Sequence, residues 1–331
     1  MSELVGAAAI SAAAERLRGV AIATPLLPAP WLDDAVGGEV RLKCENLQRA
    51  GAFKVRGAYN AVALLDNAAR ARGVIAYSSG NHAQGVALAA KLFGVRAVVV
   101  MPTTAPRVKV EGARALGAEV ELAGTTSVER QVRAEAIAAE QGLTIIPAFD
   151  DAHIIAGQGT VGLEITEAWP EVEAVLVPIG GGGLISGIAA WIKHVKPACR
   201  VIGVEPARAD AMKRSIAAGH PVTIESQPTI ADGLMPVRPG DLNVAHALAY
   251  VDEVVTVSDE AIADATARLL RDSKLIVEFS GAATVAALLS RAWATHNACT
   301  VAVLSGGNLE PARALEMMAV RTEAPPTIPA V

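Results

Sequence analysis

The sequence predicts an α/β fold built from parallel sheets with helices on both faces. Three observations support this prediction: short apolar segments alternate with amphipathic ones, glycine-rich turns separate them, and 52% of the 331 residues are hydrophobic although only 3% are aromatic. Strands covered on both faces consist of near-continuous runs of Ala, Val, Leu and Ile, which suits this composition. A chain of this length has room for two domains.

A first series of strands and helices begins at Val74. The strand Val74–Tyr77 is followed by a helix with Val86, Ala89 and Phe93 on one face and Gly94 at its end. The pattern then repeats, with strands at 97–101, 119–122 and 143–146 and helices over 106–116 and up to about 141. Strands that alternate with helices in this way predict a parallel sheet.

A second series follows it. Strand 172–179, helix 184–195 and strand 200–204 come first, and an irregular stretch with Pro and Gly covers 220–240. Helices over 258–272 and 281–291 precede a last strand at 299–304. Loops at the carboxyl ends of parallel strands form ligand sites, so we expect the site in a cleft between the two sheets.

Composition argues against several classes of protein. The net charge is −5 and no basic cluster stands out, which argues against a nucleic-acid partner. Three widely spaced cysteines predict no disulfide or metal framework and favour a reducing cytoplasm. Residues 174–192 are uncharged, but Pro178 and four consecutive glycines argue against a membrane span. Residues 1–20 predict a surface helix rather than a secretory signal, and the proline-containing tail at 324–331 predicts disorder.

The candidate reactive residue is Lys54, which stands in the run GAFKVRGA at 51–58. Most lysines are solvated surface residues. Lys54 differs because apolar Phe53 precedes it, glycines flank it and the apolar face of a helix follows. An amine sheltered in this way loses its proton more readily and can form an imine with a carbonyl group.

Two loops between a strand and a helix are suited to anions. The loop Gly180-Gly181-Gly182-Gly183 precedes a helix that begins at Leu184, and such amides suit a phosphate. Ile185 and Ser186 leave the pattern GxGxxG incomplete, which argues against a dinucleotide site and a purely nucleotide-binding protein. The second loop, Ser78-Ser79-Gly80-Asn81-His82, suits a substrate carboxylate. A helix-capping or core-packing role explains His82 better than general-base catalysis.

The run GAFKVRGA resembles the lysine motif of the fold-type II pyridoxal-phosphate enzymes, the family of threonine and serine dehydratases and serine racemase. The resemblance extends from about Leu42 to Asn308, with Ala52 where the family usually has Ser. It implies pyridoxal 5'-phosphate as cofactor, Lys54 as its Schiff-base residue with Phe53 beside it, and the glycine loop with Leu184 as its phosphate site. The family fold implies a small domain at 67–150 inserted into a large one made of 1–66 and 151–331.

The resemblance also implies roles for further residues. Asn81 would hold the 3-oxygen of the cofactor, and Ser305, in the run LSGGN, would face its pyridine nitrogen. A hydroxyl cannot keep that nitrogen protonated as a carboxylate would, which favours β-elimination over transamination. Gly233 and Glu278 match family positions near the cofactor.

A cation site found in several relatives is incomplete in this sequence. Its ligands would be the Glu205 carboxylate, the Ala209 carbonyl and a carboxylate at residue 211, where this chain has Ala. Loss of a hard oxygen ligand weakens such a site, so we predict no metal.

The family implies a dehydratase, or ammonia-lyase, that converts a β-hydroxy amino acid such as threonine or serine to a 2-oxo acid and ammonia. Lys54 would remove the α-proton as general base. The alternative is a racemase, or bifunctional racemase–dehydratase, of serine, threonine or aspartate-type substrates. It depends on Ser79, because racemase-like relatives have SSGN where many dehydratases have SAGN. We expect a small-molecule amino-acid substrate, no nucleic acid or membrane partner, a cytoplasmic location and a homo-oligomer, either a dimer or a tetramer.

Overall fold

The computed structural model describes residues 3–319 apart from Ser79, Pro106 and His296. The predicted disorder of 324–331 concerns residues outside this range. Ten strands are present among the described residues: β1 Leu26–Pro28, β2 Val40–Lys43, β3 Val74–Tyr77, β4 Ala97–Met101, β5 Glu119–Leu122, β6 Thr144–Ile145, β7 Ala174–Pro178, β8 Arg200–Pro206, β9 Glu253–Val257 and β10 Thr300–Val303.

Fourteen α-helices surround them in the same part of the chain: α1 Ala7–Leu17, α2 Pro30–Val36, α3 Lys54–Leu64, α4 Asn67–Arg72, α5 Asn81–Phe93, α6 Arg107–Ala115, α7 Ser127–Gln141, α8 Ala152–Ala168, α9 Gly183–Val195, α10 Ala211–Ala218, α11 Asp241–Tyr250, α12 Asp259–Asp272, α13 Phe279–Leu289 and α14 Pro311–Ala319. No described helix is long and apolar enough to cross a membrane.

The strands form two sheets. The six-stranded sheet has the order β1-β2-β10-β7-β8-β9, and all its strand pairs are parallel except β1 with β2. Its central strands β7 and β10 are buried along their whole length, because helices cover both faces. The four-stranded sheet has the order β5-β4-β3-β6 and is parallel throughout. The α/β fold with two parallel sheets is thus confirmed.

We call residues 74–145, which contain the four-stranded sheet, the small unit, and the rest of the described chain the large unit. All four strands of the small unit lie between residues 74 and 145. The domain boundaries at 66/67 and 150/151 stay a prediction, since the arrangement of the strands does not test whether each part folds by itself.

Close packing of helices α3, α5 and α8 connects the two units. Helix α3 packs on α8 where two glycines meet, because a Cβ at Gly157 would lie only 2.6 Å from the Cα of Gly57. Helix α5 packs on α3 as well, since a Cβ at Gly85 would lie 3.0 Å from the carbonyl carbon of Lys54. The glycines therefore let α3, which begins at Lys54, lie directly between α8 and α5.

Most predicted elements of both series are present with end shifts of one or two residues. Strands Val74–Tyr77, Ala97–Met101 and Glu119–Leu122 have the predicted bounds, whereas 172–179 shortens to Ala174–Pro178. The predicted surface helix near the amino terminus is α1, but it buries Ile10, Ala13 and Leu17. Elements whose patterns are short or lack a clear period were not predicted: β1, β2, β9, α2, α4, α8, α10, α11 and α14.

Candidate active site

Lys54 begins helix α3 beside the end of β10. Ala52 forms an isolated bridge with Gly306, and the amide of Phe53 donates to the carbonyl of Ser305 at 3.2 Å. The Lys54 Nζ donates to the carbonyl of Ala148 at 2.9 Å. Burial lowers the pKa of Lys54 to about 8, although the charge of Glu278 opposes this. Much of the amine is therefore neutral near pH 8, as a nucleophile or base requires.

A buried ion network fixes the first turn of α3. The Arg56 guanidinium donates to both carboxylate oxygens of Glu45 at 2.8 Å and to those of Glu164 at 2.6 and 2.9 Å. Lys43 also donates to Glu164, so two cations balance two carboxylates. Such bidentate pairs define geometry as well as energy. Arg56 stands in the lysine motif, but the sequence alone does not connect it to partners so far along the chain.

The glycine loop at 180–183 lies between β7 and α9, as predicted. A Cβ at Gly181 would lie 2.2 Å from Cδ1 of Phe149, and Gly182 has φ +102°, so side chains are excluded at both positions. The first N–H groups of α9 have no partner within the helix and suit an anion. Leu184 is buried in this turn. Phe149 follows Ala148 in the chain, and these two residues link the loop to Lys54.

Asn81 begins α5 and is held by two side chains of the large unit. Its Nδ2 donates to Oε1 of Glu278 at 2.5 Å, and its Oδ1 accepts from Nδ2 of Asn308 at 2.9 Å. Before it, the amide of Gly80 donates to Oγ of Ser78 at 3.2 Å. Ser79 lies outside the described residues. The amide orientation of Asn81 is thus set by its partners.

Glu278 is buried and precedes α13. Its Oε2 has no partner among the described residues, and burial raises the pKa of its carboxyl to about 7. Its backbone amide donates to the carbonyl of Gly306 at 3.0 Å, so it lies directly beside the end of β10. Gly233 reaches the same region, because its amide donates to Oγ of Ser280 at 2.8 Å. Ser305 is buried next to these residues.

His82 is buried in the first turn of α5. Its Nε2 lies 2.9 Å from the carbonyl of Ile146, whereas its Nδ1 has no partner among the described residues. Burial, helped by the charge of Lys54, lowers the pKa of His82 to about 3. The ring is therefore neutral, and Nε2–H donates to Ile146. This agrees with a packing residue better than with a general base.

Glu205 uses both carboxylate oxygens within the protein. They accept from the amides of Met212 at 2.8 Å and Lys213 at 2.9 Å, in the first turn of α10. Burial raises the pKa of Glu205 to about 8. Across the described residues, no group of three or more His, Cys, Asp and Glu side chains is placed to hold a metal ion. With Ala at 211, the carboxylate that the expected cation site requires at this position is lacking.

The structure joins most of the predicted residues into one site at the carboxyl ends of β3, β7 and β10. Contacts connect Lys54 to the glycine loop through Ala148 and Phe149, and Asn81 to Glu278 and Gly306. Gly180 approaches Gly233, since a Cβ at Gly180 would lie 2.9 Å from its carbonyl oxygen. Asn308 was not predicted as a partner of Asn81, although it ends the run LSGGN that contains Ser305.

Comparison with known proteins agrees with this site. The family model described as "Pyridoxal-phosphate dependent enzyme" matches residues 17–306. The chain belongs to this family.

The family assignment is supported by individual relatives. L-threonine ammonia-lyase of Thermotoga maritima is 46% identical over 301 residues, which cover 91% of this chain and 75% of that protein. Maize serine racemase superimposes with a TM-score of 0.91 at 37% identity, covering 96% of this chain and 97% of that one. The serine racemase of Dictyostelium discoideum gives a TM-score of 0.86 at 34% identity, covering 92% and 99%.

The residues present fit pyridoxal phosphate, the cofactor of this family. Lys54 supplies a partly neutral amine, and the side-chain-free loop at 180–183 supplies amides at a helix start. Glu278 Oε2 and His82 Nδ1 are buried polar atoms without hydrogen-bond partners among the described residues, so both remain available for further hydrogen bonds. The chain is therefore an enzyme that uses this cofactor.

Proposed function

We propose that the enzyme is an ammonia-lyase that converts a β-hydroxy amino acid such as threonine or serine to a 2-oxo acid and ammonia. The observation that carries the proposal is the position of the Lys54 amine, which donates to the carbonyl of Ala148 beside the glycine loop and lies within the charge interaction of Glu278, the partner of Asn81. Relatives named for threonine ammonia-lyase and threonine deaminase support the substrate class.

The residues divide the work of this reaction. When bound, pyridoxal phosphate withdraws electrons from the α-carbon of an attached amino acid and so eases loss of the α-proton. Lys54 Nζ accepts that proton, since its pKa of about 8 leaves much of the amine neutral. The glycine loop and Leu184 hold the phosphate, with Phe53 beside the lysine. The loop of Ser78, Ser79, Gly80, Asn81 and His82 orients the substrate carboxylate.

Polar residues around the lysine set the electronic environment. Asn81 presents an amide whose direction is fixed by Glu278 and Asn308. Ser305 offers a hydroxyl where a carboxylate would stabilise a protonated ring nitrogen, and this favours elimination over amino-group transfer. Gly233 leaves room near Ser280, because a Cβ there would lie 2.9 Å from Oγ of Ser280.

The test is turnover by the purified holoenzyme. L-threonine and L-serine are supplied separately, and the release of 2-oxo acid and of ammonia is measured over time. The two products should accumulate in equal amounts. L-alanine, which has no β-hydroxyl group, serves as the control substrate and should give neither product. A holoenzyme with bound cofactor that releases no 2-oxo acid from any β-hydroxy amino acid would contradict the proposal.

Racemisation of serine, threonine or aspartate-type substrates is the second candidate. It is supported by the similarity to maize serine racemase and by Ser79 in the run SSGN. Racemisation needs a proton donor on the face of the substrate opposite Lys54, and a loop hydroxyl could supply it. Chiral chromatography of L-serine incubated with the holoenzyme tests this candidate.

The proposal includes a cytoplasmic homo-oligomer, either a dimer or a tetramer. Three exposed apolar side chains, Ile22, Leu47 and Ile276, lie close together, because Gln48 and Asn46 on either side of Leu47 bond to the backbone of the other two. A second copy would cover such a patch. Light scattering after size-exclusion chromatography measures the mass, and a monomer at all concentrations would contradict this part of the proposal.

A further inference from the structure

Lys109 bridges the two units at the edge of the candidate site. It belongs to α6 of the small unit and is only 5% exposed. Its Nζ forms an ion pair with Oδ2 of Asp232, which begins a short 3-10 helix of the large unit. Among the ion pairs between described residues, only the Lys109–Asp232 pair connects the small unit to the large unit.

The aliphatic part of Lys109 covers the loop before α5. A Cβ at Gly80 would lie 2.8 Å from Cδ and 3.2 Å from Nζ of Lys109, so a larger residue at this position would displace the lysine side chain. One turn later in α6, a Cβ at Gly112 would lie 3.1 Å from Cδ of Gln84 on α5. Helix α6 therefore lies against the first turn of α5, with Lys109 directly over the residue that precedes Asn81.

The charges around Lys109 keep its amine protonated. Burial lowers its pKa, but the neighbouring carboxylates Asp232, Glu278 and Glu310 together raise it above the usual value. Asp232 is 44% exposed, whereas Lys109 and Glu278 are buried. The pair thus has one buried and one half-exposed partner. Removal of Asp232 would leave a buried cation without its direct partner, which a protein avoids by moving the side chain towards water.

We propose that Lys109 is a positioning residue for substrate binding. Paired with Asp232, it holds Gly80 and Asn81 of the small unit in place over the large unit. The inference rests on the proposed function, because it takes this loop to bind the carboxylate of an amino acid. Loss of the pair lets the loop move away from its binding position, so affinity for substrate falls more than the rate of the chemical step at Lys54.

Steady-state kinetics of four variants test the proposal. Lys109→Met and Asp232→Asn should each raise KM for the amino acid roughly ten- to hundredfold and change kcat far less, since small displacements of positioning groups have effects of this size. Lys109→Arg should restore most of the affinity. Arg107→Met is the matched control on the same helix, because Arg107 is exposed and its ion pair among the described residues is with Glu111 of that helix. The absorbance of the lysine-bound cofactor should stay unchanged in all four.

Hydrogen exchange supplies a readout that does not depend on turnover. In the holoenzyme, the peptide over 80–93 should exchange faster in Asp232→Asn than in wild type or Arg107→Met. An Asp232→Asn variant with wild-type KM and wild-type exchange would overturn the proposal. This variant also decides the matter if Lys109→Met does not fold, because Asp232 lies at the surface. Failure of the wild type to act on L-threonine or L-serine would instead reject the proposed function, and exchange would still test the pair.

Discussion

The Lys54 amine lies 2.9 Å from the carbonyl oxygen of Ala148, and the next residue, Phe149, packs against Gly181 in the glycine loop. The two groups that we propose bind the cofactor, the amine of Lys54 and the glycine loop, are therefore joined through two consecutive residues. A Cβ at Gly181 would lie 2.2 Å from the Phe149 ring, so this connection also explains why that position must be glycine. The relative position of lysine and loop follows from the backbone between β6 and α8.

Lys54→Ala should lower turnover at least about a thousandfold, because it removes the cofactor-binding amine and the base together. Thermal unfolding should change little, since Ala is compatible with the first turn of α3. The exposed Lys91 on α5 provides the matched control, Lys91→Ala, which should keep full activity. Mass spectrometry after borohydride reduction identifies the modified lysine. Cofactor on any residue other than Lys54 would refute the assignment.

Ser305→Asp should reduce elimination roughly tenfold or more and allow some amino-group transfer, because a carboxylate would keep the ring nitrogen of the cofactor protonated. Ser305→Ala is the control for loss of the hydroxyl group without added charge, and it should keep elimination as the main reaction. Product analysis for 2-oxo acid and for the aminated cofactor distinguishes the two variants. Unchanged kinetics and an unchanged cofactor spectrum in Ser305→Asp would show that this residue does not face the ring.

Local patterns predicted the parts of the site that depend on neighbours in sequence. The glycine loop could be located because an apolar strand precedes it and a helix follows, and both are present as β7 and α9. Lys54 could be singled out because its motif is contiguous. In each case the physical requirement, a side-chain-free turn or a sheltered amine, depends on a few adjacent residues.

Other parts of the site depend on contacts between distant residues. Asn81 obtains its orientation from Glu278 and Asn308, and Lys109 finds Asp232 across the two units. Neither pairing has a signal in sequence spacing. The strand β2 was missed for a related reason, since its four residues are recognisable as a strand only beside β10. Helix α8 has apolar residues all around, so it shows no amphipathic period.

Stability should fall with acidification because His82 is buried in the neutral form. Its pKa is lowered from an ordinary value near 6.5 to about 3 in the folded state. The unfolded chain therefore binds a proton below about pH 6.5 that the folded protein does not, and stability is lost as pH falls. The free energy of unfolding should drop by about 1.4 kcal/mol per pH unit from this residue alone.

Denaturant unfolding of wild type and His82→Gln between pH 7.5 and 5 measures the contribution of His82. The Gln side chain can still donate to the carbonyl of Ile146 but does not titrate. Below about pH 6.5, the free energy of unfolding of His82→Gln should therefore fall less steeply than that of the wild type, by about 1.4 kcal/mol per pH unit. His220→Gln is the control for the substitution itself, because His220 is exposed. Identical pH dependence of His82→Gln and wild type would contradict the buried neutral state.

Chelation should leave the enzyme unaffected, because the α10 amides already satisfy Glu205 and residue 211 has no carboxylate. We expect the same Tm and turnover in EDTA and in millimolar Mg²⁺ or Mn²⁺. Ala211→Asp adds the missing hard ligand and should make Tm respond to the cation. Loss of activity in EDTA that Mg²⁺ or Mn²⁺ restores in the wild type would contradict this prediction.

Ser79→Ala separates elimination from racemisation. Ser79 stands between Ser78 and Gly80 in the loop before Asn81. Racemisation requires a proton donor on the face opposite Lys54, and the Ser79 hydroxyl is the candidate in this loop. Elimination from an L-amino acid requires only Lys54 on its own face.

The Ser79→Ala variant should therefore keep most L-threonine or L-serine elimination and lose any conversion to D-isomers or action on them. Chiral chromatography and 2-oxo acid release from both isomers measure the two activities. A wild type without D-isomer activity would exclude racemisation, and Ser79 would then be a carboxylate-loop or helix-capping residue, whose loss should raise KM without changing stereochemistry.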